Sequence, residues 1–341
     1  MTTNTTQEGA GATAVAEPRW LQHLNEDLGT SGESNSPAEE TKYFEDILAA
    51  GFKEYLLCED PNTAATFARR FDDLYEAVYK PRFNGYNGTK KGWTGYLITF
   101  YQVLFSASIE MQYDDPMQDK VIRLLAELGG LPSHAVKIFV EPEFEWVDSK
   151  IWTHDPLLPW ELVSLKPFPE INLDTYNELT DPEEGAELYD HDATEWVNFY
   201  AFKARCTAAG FDEGYKHRFD TTGHIISVGL QPGFPAHIEP KLDCHVMAAA
   251  QYILLAGDVI DAECVKQQLP PHRHHDWKGW ANGNGPLVWK QWGNRLREIA
   301  AALEGGGELG FKLFEKNREA LTNMVIEARD KMVALEPELF A

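Results

Sequence analysis

A capping residue followed directly by proline recurs along this chain, and each occurrence commits the backbone to starting a helix. Ser36-Pro37-Ala38-Glu39 and Asp181-Pro182-Glu183-Glu184 are capping boxes, and Asp115-Pro116-Met117-Gln118 repeats the arrangement with Gln in the last place. The side-chain oxygen of the first residue satisfies a free amide of the first turn. Proline's fixed φ and missing N–H suit the position after it. Asp60-Pro61 and Gly285-Pro286 are weaker starts of the same kind. Apolar residues then return at helical spacing. Phe67, Phe71, Leu74 and Val78 share one face, as do Phe311, Phe314, Leu321, Val325, Ala328, Met332 and Leu335, a row interrupted once by Arg318. Such stripes belong to amphipathic helices with one buried face.

Residues 94–109 and 242–260 are apolar nearly all round, which predicts central helices covered on every side. Tyr96-Leu97-Ile98-Thr99-Phe100-Tyr101 favours strand locally, but the length of the apolar segment favours helix. Helices are expected near 38–57, 61–80, 92–110, 116–129, 190–209, 241–265, 286–303 and 308–336, and no alternating pattern with hairpin turns predicts a sheet. The expected fold class is all-α, an irregular multi-helix bundle of roughly eight to ten helices. Gly305-Gly306-Gly307 suits an antiparallel turn between the last two helices. No clean repeat supports a solenoid.

The chain divides by composition. Residues 1–35 hold few apolar positions and read as a flexible acidic tail, although Trp20-Leu21 and Leu24 have the spacing of a short helical anchor. Residues 36–140 form an N-terminal helical half and 190–341 a C-terminal one, expected to pack as one domain. Between them, 141–189 reads as a long, irregular acidic connector punctuated by prolines, with Phe144, Trp146, Trp152, Trp160 and Phe168 as anchors that wrap it onto the surface.

Net charge is −24, of which residues 1–60 contribute −9 and residues 141–196 contribute −14. The rest is nearly neutral and carries no basic stripe. This argues against nucleic-acid binding and against docking to an anionic membrane. The acidic connector suits a basic protein partner or simple solvation. The longest apolar run, around Val246 to Gly257, is well short of the ~20 residues that span a bilayer. The first residues lack the basic start and apolar stretch of a secretory signal. Cys58, Cys206, Cys244 and Cys264 are widely spaced and form no C-x-x-C pair, as reduced, packed thiols do. A cytoplasmic location follows as an expectation.

Residues 270–292 concentrate side chains suited to chemistry: His272, His274, His275, Trp277, Trp280, Trp289 and Trp292. Trp289 and Trp292 continue into Leu296, Ile299 and Leu303 at helical spacing, so core packing accounts for them. His272, His274, His275, Trp277 and Trp280 lie in a Pro/Gly-flanked loop, where periodicity accounts for nothing. They are candidate ligand-binding residues lining an apolar pocket with polar tips, or anchors that pin the loop. Neutral imidazoles also ligate metals, but Arg273 in their midst is unfavourable beside a cation. His-Asp pairs occur at 154–155, 191–192 and 275–276. None is expected in mid-helix, and the pair at 191–192 begins a helix at best. No G-x-S-x-G elbow and no P-loop is present, so neither a catalytic residue nor a cofactor is assigned.

Trp93-Thr94-Gly95-Tyr96, Asp115-Pro116-x-Gln118-Asp119-Lys120 with Leu124-Leu125-x-x-Leu128, and Gly285-Pro286-x-x-x-Trp289-x-x-Trp292 with Arg295 and Glu298 carry a resemblance. The chain resembles a filamentous-fungal family catalogued only as a domain of unknown function, over roughly residues 40–335. The resemblance implies a helical fold and a fungal source, and it carries over no site residues. The leading expectation is a cytosolic helical protein that binds a protein partner or a small molecule without catalysis of its own. The alternative is an enzyme or ligand-binding protein of fungal specialised metabolism with a Trp/His-lined pocket. A weaker one is a metal-dependent hydrolase using His272 to His275.

Overall fold

The Asp115-Pro116 signal sets its helix as written. Asp115 accepts from the Met117 amide at 2.8 Å, and the helix runs Pro116–Gly129. The computed structural model describes residues 17–27, 37–60, 62–83, 92–140, 145–152, 157–158, 182–211, 218–230, 242–266 and 285–341. In chain order these form α1 (Arg19–Asp27), α2 (Pro37–Leu57), α3 (Thr63–Leu74), α4 (Lys80–Phe83), α5 (Gly92–Ile109) and α6 (Pro116–Gly129). Two strands follow, β1 (Ala135–Val140) and β2 (Glu145–Lys150). The rest is α7 (Pro182–Ala208), α8 (Arg218–Leu230), α9 (Asp243–Ile260), α10 (Gly285–Gly305), α11 (Arg318–Leu335) and α12 (Pro337–Phe340). The class is all-α.

Buried side chains gather in two clusters. The first is built by α1 to α6 with Ile138, Ile151, Trp152, Leu157 and Leu158, and it is mainly aromatic around Phe44, Phe52, Phe71, Tyr96 and Phe100. The second is built by α7 to α11 around α9, which packs against α7, α8 and α11. Helix α7 belongs to both: Phe202 and Cys206 enter the first cluster, while Tyr189, Ala193, Val197, Tyr200 and Ala204 enter the second. Phe202 meets Phe105 of α5 with ring centroids 5.5 Å apart.

Several local expectations change. Residues 1–35 are not wholly a tail, because α1 buries Trp20 and Leu24 in the first cluster; this short anchor has enough apolar surface to dock. A two-stranded antiparallel ribbon replaces part of the irregular connector, with Ile138 paired to Val147 and Ala135 to Lys150. Its β-branched residues favour extended backbone, and Ile138 is buried while Lys137 is exposed. The connector also ends earlier than 189, since α7 begins at Pro182. Helix α8 has no sequence counterpart among the expected elements; its Thr221-Thr222-Gly223 opening and β-branched residues hide it. The helix expected from 308 starts only at Arg318, after a 3-10 turn at Glu315–Asn317. Both α3 and α9 run into π-helical turns, at Tyr75–Tyr79 and Asp261–Lys266.

Trp152 is an anchor, as its aromatic character suggested. Its φ of 65° is in the left-handed region, and Nε1 donates to Asp72 Oδ1 at 2.8 Å. Burial of the indole among Trp93, Tyr96, Phe100 and Tyr101 offsets the backbone strain.

Gly285 opens α10 hard against the π turn, where an added Cβ would fall 2.2 Å from the Cys264 carbonyl oxygen. Gly285→Ala is expected to cost about 1–3 kcal/mol by overpacking. Gly305→Ala, whose Cβ meets nothing within 4 Å, is expected to leave stability unchanged or slightly raised. Thermal melts of both variants check the contrast.

Candidate functional site: a cavity at the seam of the two cores

The seam between the clusters is polar. Gln118, fully buried, donates to the Met111 carbonyl at 3.0 Å and the Asn198 carbonyl at 3.2 Å, and accepts from Arg205 Nη1 at 2.9 Å. Arg205 continues to Asp119 at 2.8 Å. Nearby, Arg19 of α1 bridges Glu110 at 3.0 Å, Glu195 at 3.4 Å and His191 at 2.9 Å. Burial pushes the Glu195 carboxyl up from its ordinary value, against the lowering effect of His191. The His191-Asp192 pair sits well inside α7 rather than at a helix start, because that helix begins at Pro182. The guanidinium of Arg19 and the Glu195 carboxylate occupy its surroundings.

A cavity of about 240 Å³ opens at this seam. Its walls come from the α5–α6 turn (Gln112, Tyr113, Asp114), α7 (Asp190, Ala193, Thr194, Val197, Asn198), α9 (Cys244, Met247) and the start of α11 with the residue before it (Asn317, Ala320). Ala193, Val197, Asn198, Cys244 and Met247 are buried and form the inner wall, whereas Gln112, Asp114 and Asp190 are exposed and form the rim. Asp190 is paired with Lys316. The Asn198 side chain is held by its Nδ2, which donates to the Ile109 carbonyl at 3.0 Å; its buried Oδ1 has no hydrogen-bond partner. Among the cavity's wall residues, this is the buried side-chain acceptor left unsatisfied. Leaving such an atom unbonded costs about 1–3 kcal/mol.

One wall is fixed by Asp243, fully buried as the first residue of α9. Its Oδ1 accepts from the Tyr189 hydroxyl and from the Cys244 amide at 2.8 Å. Its Oδ2 accepts from the Phe314 amide at 2.9 Å and Asn317 Nδ2 at 3.0 Å. The carboxylate thus ties α7, α9 and the turn before α11 together, at a helix N-terminus where the dipole favours negative charge. Tyr189 also stacks on Phe314, with centroids 3.5 Å apart. Burial raises the Cys244 thiol well above its ordinary value, and burial likewise raises the Tyr189 phenol. Both groups are protonated at neutral pH, and a protonated thiol is a poor nucleophile.

His272, His274, His275, Trp277 and Trp280, the candidates from sequence, lie outside the described residues. The ends of their segment are brought together, because Gly285 abuts Cys264 and Val265 just before Lys266. Trp289 and Trp292 are buried in the second cluster. The His-Asp pairs at 154–155 and 275–276 also fall outside the described residues. Among the described residues, no group of three or more His, Cys, Asp and Glu side chains is placed to hold a metal ion, and no helix is long and apolar enough to cross a membrane. Cys58, Cys206, Cys244 and Cys264 form no disulfide among the described residues.

Sequence reasoning missed the cavity. Asn198 within Val197-Asn198-Phe199-Tyr200-Ala201-Phe202 and Asp243 ahead of an apolar helix were the available signals, polar residues at positions whose neighbours are core. No curated protein and no solved structure matches the chain. Residues 101–296 match one family, a span that runs from α5 into α10 and includes three of the four cavity walls. It covers more than half of the sequence, and the chain belongs to the family described as "Protein of unknown function (DUF3632)".

Proposed function

We propose that this protein binds a small molecule in the cavity between its two cores and performs no catalysis of its own. The observation that carries the reading is the chamber itself, about 240 Å³ with a buried, largely apolar inner wall. Binding sites are concave, largely apolar, and supplied with a few placed polar groups. The buried inner wall of Ala193, Val197, Cys244 and Met247, with the polar Gln112, Asp114 and Asp190 at the rim, has that character. At about 240 Å³ it lies below the ~300–1,000 Å³ of drug-sized sites, which points to a compact ligand. Cysteines that form no disulfide among the described residues suit a reducing compartment, which supports a cytoplasmic location.

The test is ligand-observed NMR with a panel of compact amines, alcohols, carboxylates and amides, run on the full chain and on Ala193→Phe, which fills the chamber. At least one compound is expected to bind the wild type and to be released in the filled variant. Thr194→Tyr, at a half-buried wall position, serves if Ala193→Phe does not fold. A panel that binds wild type and folded filled variants alike, or binds neither, contradicts the reading.

A further inference from the structure

We propose that α1 is a proton-sensitive clasp, in which Arg19 and a proton on His191 compete for the same carboxylates. Arg19 Nη2 lies 3.0 Å from Glu110, just past α5, 3.4 Å from Glu195 and 2.9 Å from Nε2 of His191, the last two on α7. On its other side the imidazole sets Nδ1 3.0 Å from Glu195 and 3.4 Å from Asp192. A guanidinium has only donors, so Nε2 must accept and the ring proton is assigned to Nδ1. The docked arrangement therefore requires a neutral imidazole.

A second proton, on Nε2, sets N–H against N–H and cation against cation. Solvent can deliver it, because the His191 side chain is 52% exposed while Asp192 and Glu195 are largely covered. Three carboxylates face one guanidinium here, so the cluster attracts a further positive charge, and it attracts that charge more strongly once Arg19 is withdrawn. Docking of Arg19 and protonation of His191 thus oppose one another, and the opposition is reciprocal. Imidazoles titrate between about pH 5 and 8. The clasp is closed above that range and loosens as the pH falls through it.

The surrounding charges do not reverse the sign. His23 lies one helical turn from Arg19 on α1, Lys53 of α2 meets α1 at Asn25, and Lys316 is engaged by Asp190. Burial raises the Glu195 carboxyl, while His191 and Arg19 lower it against the raising effect of Glu110 and Asp192. Because Arg19 lowers it, docking of α1 favours the Glu195 anion, and acid again loosens the clasp. For the fold as a whole the sign is opposite: a carboxyl raised by burial stabilises the folded chain at low pH, and that contribution is lost as the pH rises through its raised value. The effect must therefore be read at α1 itself, where Trp20 and Leu24 still hold the helix on the first cluster.

Hydrogen exchange of the full chain, followed by mass spectrometry over residues 17–27 and divided by the exchange of a free peptide of the same sequence at each pH, reads that opening. Between about pH 8 and about pH 5.5 the opening of α1 is expected to rise roughly five- to tenfold, as a charge-assisted hydrogen bond is lost and an ion pair weakened. His191→Gln, whose amide oxygen accepts from Arg19 but takes no proton, should hold α1 closed at both ends of the range, within about twofold. Arg19→Gln should open α1 at the alkaline end to the level that wild type reaches in acid, with no further response. His23→Gln should keep the wild-type response. An opening of wild-type α1 that changes by less than about twofold over the range overturns the clasp. So does a response that survives intact in Arg19→Gln, or one that persists in His191→Gln and vanishes in His23→Gln.

Discussion

Asp243→Ala is expected to lower the unfolding free energy by roughly 3–5 kcal/mol, the range for breaking a buried charged cluster by removing one member. The carboxylate accepts four hydrogen bonds, and its loss leaves the buried Tyr189 hydroxyl and Cys244 amide, and the half-buried Phe314 amide and Asn317 side chain, without that acceptor. Asp243→Asn is an informative partner. One carboxylate oxygen faces Tyr189 and Cys244 and the other faces Phe314 and Asn317, so turning the amide NH₂ to either side sets donor against donor. An intermediate loss of about 1–3 kcal/mol is expected. Urea unfolding at fixed pH measures both. An Ala variant within ~0.5 kcal/mol of wild type, the range of an ordinary surface substitution, would show that the cluster is not a keystone. Because Cys244 and Asn317 also line the cavity, any folded Asp243 variant should bind the cavity's ligands more weakly.

Trp289→Ala is the second large effect, at about 3–5 kcal/mol. The indole is fully buried in the second core, and Nε1 donates to the Met332 carbonyl of α11 at 3.4 Å. Truncation therefore opens a cavity between α10 and α11, while the Met332 carbonyl keeps its bond from the Glu336 amide at 3.1 Å. Leu287→Ala, two residues earlier on the same helix and 53% exposed, is expected to stay within ~0.5 kcal/mol. Thermal and urea unfolding of the pair separate a core position from a surface one. Equal losses would mean that α10 does not seat on the face that its Trp289, Trp292, Leu296, Ile299 and Leu303 stripe defines.

That stripe shows what was legible beforehand. Helices with a side-chain cap and a clear apolar face were readable: α6 from Asp115-Pro116, α10 from its Trp and Leu spacing. Local physics determines such elements, since cap and stripe lie within one segment. Helix α8 was not readable because its stability comes from close packing on α9. A Cβ on Gly229 would fall 2.5 Å from the His245 carbonyl oxygen, a contact that no feature of residues 218–230 announces. The ribbon at 135–150 was hidden for a similar reason, its pairing being made across a turn rather than within a run.

The site was less legible than the fold. Its walls come from four segments separated by long stretches of chain, and each residue has an ordinary role in its own helix. Val197 and Met247 read as core and Asp114 as surface; only the packing of α7 between two cores brings them to one chamber. His272, His274, His275, Trp277 and Trp280, whose density in sequence suggests chemistry, lie outside the described residues. Asn198 is a lone amide among apolar and aromatic neighbours, and its sequence gives no sign that Nδ2 is taken by the Ile109 carbonyl.

The most direct measurement is a crystal structure of the chain soaked with each compound of the amine, alcohol, carboxylate and amide panel. The account predicts density for a bound compound between α7 and α9, against the inner wall of Ala193, Val197 and Met247. Compounds bound only at other surfaces throughout the panel, with only ordered water in the chamber, would contradict it.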